Sequence, residues 1–175
     1  EGFTEKYGME YKRAYWSESP DSYLVERHKR EVFPLLRRRW MFAEVHSFLL
    51  YDFYAPEGHV IEDVFAYSNR AGDARSLVLY HNRYAETSGW IHRSAAFAVK
   101  TGQGDEKNLV QLTLGEGLGL QNDSSYYTLF RDYVTGLEYI RNSQELCQRG
   151  LYIELAAYKC HVFLDFREVQ ADAQN

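Results

Sequence analysis

The chain carries many groups capable of acid–base chemistry and few spacings that would focus it. Twenty-five carboxylates are spread over 175 residues, among them Asp52, Glu62, Asp63, Asp132, Glu138, Glu154 and Asp165. Glycoside hydrolysis needs two carboxyl groups fixed on either side of the scissile bond. Scattered acids do not make that pair, so no position is assigned a catalytic role. The histidines, His28, His46, His59, His81, His92 and His161, lack the close spacing of ligands carried on one element, and neither a metal site nor a cofactor is expected. Cys147 and Cys160 form no CxxC pair; they read as free, mostly buried thiols, which fits a reducing, cytoplasmic setting. Gly115, Gly117 and Gly119 lack the spacing of a dinucleotide fingerprint, and the Leu-Gln-Asn-Asp-Ser-Ser that follows is turn chemistry. A flexible loop or hairpin is expected there.

Two surface hypotheses remain. Arg27, Lys29, Arg30, Arg37, Arg38 and Arg39 form a basic cluster opposed by Glu31. Residues 1–50 hold nine Lys/Arg against eight Asp/Glu, but residues 51–175 hold eleven against seventeen. The acidic remainder argues against nucleic acid, and the cluster reads as a solvated or interdomain face. Tyr80, Asn82, Tyr84 and Trp90 are candidate glycan contacts, because a pyranose offers an apolar face to rings and polar edges to amides.

The elements that must position these residues are mostly strands. Aromatic residues make up 16% of the chain, fifteen of them tyrosine, and aromatics favour strands. The expected architecture is mainly β: an antiparallel β-sandwich over residues 47–175, preceded by a helical extension over 1–46. Ser19-Pro20-Asp21 is a helix start, with Ser as cap and Pro in the first turn, and Pro34 should kink or break the helix. Leu36, Trp40 and Ala43 continue the helical spacing, with Val32 one turn earlier. Strands are expected at 48–54, 62–68, 76–84, 94–100, 109–114, 126–131, 137–141, 151–155 and 159–167. Residues 69–73 form a hairpin turn, 76–84 is a central strand, and 143–150 adds one or two helical turns ending at Gly150. No run of about 18 apolar residues is present to span a membrane.

The segments 150–167 (GLYIELAAYKCHVFLDFR) and 76–84 (SLVLYHNRY), with 33–45 (FPLLRRRWMFAEV) and 62–69 (EDVFAYSN), resemble the C-terminal region of large bacterial α-amylase-family glycoside hydrolases. The resemblance covers about 23–169. It implies barrel-exit helices followed by a sandwich that packs against a catalytic barrel. It also implies α-glucan as the family's substrate class. The short motifs that carry the family's catalytic acids are not visible in this chain. A non-catalytic region of a longer enzyme is the expectation, with the barrel as partner and self-association when isolated. The alternative is a free-standing carbohydrate-binding module in which Tyr84 and Trp90 form one exposed platform.

Overall fold

A computed structural model describes residues 19–102 and 106–171. The chain divides into two compact units between Arg39 and Trp40.

The helical unit contains α1 (Ser22–Arg27), a π-helical turn (His28–Val32) and α2 (Phe33–Arg37). Its cap is Asp21, not Ser19: the carboxylate accepts from the amides of Tyr23 and Leu24 at 2.9 and 3.2 Å, so Pro20 lies outside the helix. Pro34 does not break the run. The π turn lets the Phe33 amide reach back to His28, and Pro34 then falls in the first turn of α2, where a missing donor costs little. The helix instead ends at Arg38 (φ −102°, ψ 12°), so Trp40 and Ala43 do not continue it; Arg39–Phe42 is a 3-10 turn. Glu31 is paired to both Arg27 and Arg30.

The larger unit is antiparallel throughout. Its strands are β1 (Leu49–Tyr54), β2 (Val64–Ala71), β3 (Ala74–His81), β4 (Thr87–Ser94), β5 (Phe97–Lys100), β6 (Lys107–Val110), β7 (Tyr126–Asp132), β8 (Glu138–Asn142), β9 (Leu151–Leu155) and β10 (Cys160–Gln170). Eight form one sheet in the order β8-β7-β10-β3-β2-β1-β4-β9, while β5 and β6 make a separate hairpin. Both β9 and β10 neighbour strands laid down much earlier, and residues 156–159 join them although four strands lie between them in the sheet. So short a link requires the sheet to curl over, and the mainly β, sandwich-like architecture is one sheet folded onto its own apolar face. Two bulges assist the curl. One interrupts β1 against β4 between Tyr51 and Phe53; the other interrupts β10 against β7 between Leu164 and Arg167, where Asp165 takes φ 56°. Each adds twist and bends its strand.

β3 is interior, as its pattern suggested: Leu77 and Leu79 are buried while Val78 and Tyr80 face outward. The β2–β3 turn needs only Gly72 and Asp73, since Ala71 pairs with Ala74, and Gly72 supplies the left-handed conformation (φ 58°) such a turn requires. The concave side is filled by Phe53, Ile91, Phe130, Phe163 and Leu155, with Phe130 stacked on Phe166 and edge-on to Phe163. Two short helices complete it, α3 (Leu114–Leu118) and α4 (Ser143–Arg149), through Leu114, Leu118 and Leu146.

The structure corrects the reading of 115–119. Thr113 and Glu116 form a reciprocal capping box, hydroxyl to amide at 3.2 Å and amide to carboxylate at 2.7 Å, which turns the glycine-rich stretch into a helix. The glycines are there for closeness: a Cβ at Gly115 would strike Cys147, and one at Gly117 would strike the Tyr51 hydroxyl and Leu49. The expected strand 94–100 is also revised, into β4 and β5.

Candidate functional site

One end of the curled sheet gathers the ends of β1, β3 and β9 and the starts of β2, β4 and β10, with their connecting loops 55–63, 82–86 and 156–159. The first loop is ordered by its own backbone: the Ala55 amide bonds to His59 O at 2.9 Å and the Ile61 amide to Phe53 O at 2.8 Å. Between the loops lie two adjoining hollows of about 770 and 420 Å³ that share His59, Ile61, Glu86 and Thr87. Glu57, Glu86 and Glu154 line the larger; Glu62, Asp63, His81 and Arg83 line the smaller. Arg83 is committed to Asp63 at 2.9 Å. The other four carboxylates hold no hydrogen-bond or ion-pair partner among the described residues.

Two histidines secure the corner between β9 and β10. His81, only 1% exposed, sets Nδ1 at 3.2 Å from Ala156 O, and its backbone amide donates to Lys159 O at 2.9 Å. His161 sets Nε2 at 3.4 Å from Glu154 O and Nδ1 at 2.9 Å from the carboxylate of Asp132. Asp132 is fully buried, yet it accepts from the Thr135 hydroxyl at 2.7 Å and from the amides of Val134 and Val162 at 3.0 and 3.1 Å. Burial raises its pKa, but these bonds outweigh burial and bring it down to about 2. The hydrogen bond that His161 donates to Asp132 pushes its own pKa up, against the opposing effect of burial. An ionised Asp132 and a protonated His161 are therefore the favoured pair. It ties β10 to β7 and the corner, with every Asp132 oxygen occupied, which makes it a clasp rather than a reaction centre.

The sequence-derived candidates separate. Tyr80 and Asn82 stand together, hydroxyl to side-chain oxygen at 3.4 Å. Tyr84 is 84% exposed and its ring lies 6.1 Å from that of Tyr158, tilted by 39°. Trp90 is elsewhere: it sits on β4, separated from β3 by β2 and β1, half-buried with its ring 5.3 Å from Tyr152. Tyr158 escaped notice because it is a corner residue with positive φ (52°), outside any strand alternation. His81 was visible only as one histidine among six. Cys147 makes a poor nucleophile, since burial, then Glu168 and Glu116, raise its pKa. Among the described residues no group of three or more His, Cys, Asp or Glu could hold a metal ion, and no helix is long and apolar enough to cross a membrane.

Fold and site together define a mainly β domain of one curled antiparallel sheet with an open acidic cleft at its mouth. Compared with known proteins, the chain matches no family model and no curated sequence.

Proposed function

We propose that this chain is the non-catalytic C-terminal part of an α-glucan-acting glycoside hydrolase or transglycosylase, and that its sheet packs against and stabilises the catalytic barrel. The observation that carries the reading is the convex face of the sheet. An antiparallel sheet with one solvated face normally turns polar side chains outward. Here the outward positions run Leu50, Tyr67 and Val78 in one cross-strand row, with Phe65 beside Tyr80 in the next. Leu50 and Phe65 are each 55% exposed, and Phe48 extends the patch through its contact with Tyr67. A contiguous apolar face of this kind calls for a partner surface. The sequence resemblance supplies the identity of that partner.

Sedimentation of the isolated chain tests the reading. Self-association is expected, suppressed in the Leu50→Asp/Phe65→Asp double variant and absent when the chain is joined to a barrel upstream. A clean monomer at high concentration, unaltered by the double variant, overturns it.

A second reading, a free-standing module for α-glucan, is favoured by the exposed Tyr84 and Tyr158 pair. It takes a different form from a Tyr84 and Trp90 platform, because Tyr84 in the loop 82–86 stands beside Tyr158, while Trp90 is half-buried beside Tyr152. Retardation of the chain in a glycogen-containing gel, abolished by Tyr84→Ala, would bring it forward.

A further inference from the structure

We propose that a small cavity at the seam of the curled sheet binds a ring-borne carboxylate, a single six-membered ring carrying one carboxyl group. The inference goes beyond the packing role and does not depend on it. β8 and β9 are the two edges of the sheet, and α4 connects them. Where α4 meets the start of β9, at the other end of that strand from the mouth, a cavity of about 170 Å³ is lined by Trp90, Arg141, Glu145, Arg149, Leu151 and Tyr152.

Two independent features of the lining point to a ligand. The first is an aromatic wall. Tyr54, Trp90 and Tyr152 are cross-strand partners in one row, and the rings of Trp90 and Tyr152 stand 5.3 Å apart, tilted by 59°. Rings set at such an angle enclose a ligand from two sides. The second is a pair of guanidinium groups without a carboxylate. Arg149 follows Glu145 by four positions on α4, the spacing at which an ion pair forms, yet the two line the cavity without pairing among the described residues. Arg141 is steadied by the carbonyl of Ile140 at 2.8 Å and by the Tyr139 ring at 5.6 Å, and neither contact neutralises it. The frame is preformed. Asn142 caps α4 through the Glu145 amide at 3.3 Å, and at Gly150 a Cβ would strike the carbonyl of Ile91, so the end of the helix lies directly against β4.

Charge and shape choose the ligand together. Two guanidinium groups against one carboxylate leave a single positive charge, which repels a cation and which a monoanion balances. The planar fork of arginine matches a carboxylate through charge-assisted bonds. A bare anion would leave the aromatic wall uncovered, whereas a ring lays its apolar face against it. The cavity is smaller than a drug-sized site, so it takes one ring with its charged group.

Glucuronate and benzoate are the probes, a sugar ring and an aromatic ring with the same charge. Each is titrated into the full chain at low ionic strength by calorimetry, with the indole N–H resonance of Trp90 followed in parallel. Saturable one-to-one binding of at least one is expected, together with a shift of that resonance; the tighter of the two identifies the ring. Arg149→Gln, a change at an exposed position, should weaken binding about tenfold, and Arg131→Gln, outside the cavity, should leave it unchanged. Absence of saturation by both probes overturns the proposal. So does equal weakening by Arg131→Gln, which would mean diffuse attraction. Inorganic phosphate binding as tightly would remove the role of the ring, and glucose or benzyl alcohol binding as tightly would remove that of the charge; either result also overturns it. Because the sedimentation test reads the Leu50 and Phe65 patch alone, the two readings fail separately.

Discussion

His81 holds the carbonyl of Ala156 in the corner and His161 that of Glu154 at the end of β9, yet they differ in what stands at the other ring nitrogen. His161 has Asp132 there, itself anchored by three further donors, and that bond favours the charged form of the ring. His81 has no carboxylate at its second nitrogen among the described residues. One buried carboxylate thus sets the two histidines apart.

Removing that carboxylate is the largest way to break the contrast. Asp132→Ala should destabilise the fold by about 3 kcal/mol or more in urea unfolding, because a buried imidazolium, a hydroxyl and two amides lose their acceptor together. Next comes His161→Gln, which keeps a polar side chain but ends the charge pairing, at about 2 kcal/mol.

The pH profile sharpens the same point. Asp132 is depressed from 3.8 to about 2, so its contribution is present above 3.8 and fades as pH falls toward 2. His161 is raised above 6.5, so its contribution is complete below 6.5 and is lost as pH rises through the folded value. The clasp is therefore strongest between about pH 4 and 6.5. Unfolding measured from that range upward, past pH 6.5, should show an alkaline decline that His161→Gln abolishes.

His81→Gln, by contrast, should cost about 1 kcal/mol, one hydrogen bond's worth, and leave the alkaline decline in place. Smallest of all, Glu86→Gln should shift stability by less than about 0.5 kcal/mol. A larger loss would show that the cleft acids serve the fold.

Local chemistry made part of this legible. The β2–β3 turn, the alternation in β3 and the helix before Gly150 are written in adjacent residues, and the structure has them. No strand was expected between 84 and 94, where β4 runs; Gly89 is required where a Cβ would collide with the Tyr54 carbonyl and the Phe53 ring, a fact about a neighbouring strand. Thr113 and Glu116 stand at capping-box spacing, but the glycines between and after them read as a loop, and their reason, close packing of Gly115 on Cys147 and of Gly117 on Tyr51 and Leu49, is not local. Asp132 and His161 stand 29 positions apart, and only the register of β7 on β10 brings them together. The cleft is still less local, built from loops whose proximity depends on the curl.

The corner at 156–159 also constrains how the chain can acquire its structure. β9 completes β4, and β10 completes β3 and β7, across separations such as Ile91 to Leu151 and Leu77 to Phe163. Closing such long loops is entropically slow. During synthesis, a chain that has not yet emitted residues 151–170 leaves both β3 and β4 as bare edges, open to pairing with other chains. The last twenty residues of the sheet thus act as its stitching, and folding should show one late, cooperative step in which both edges are sealed at once.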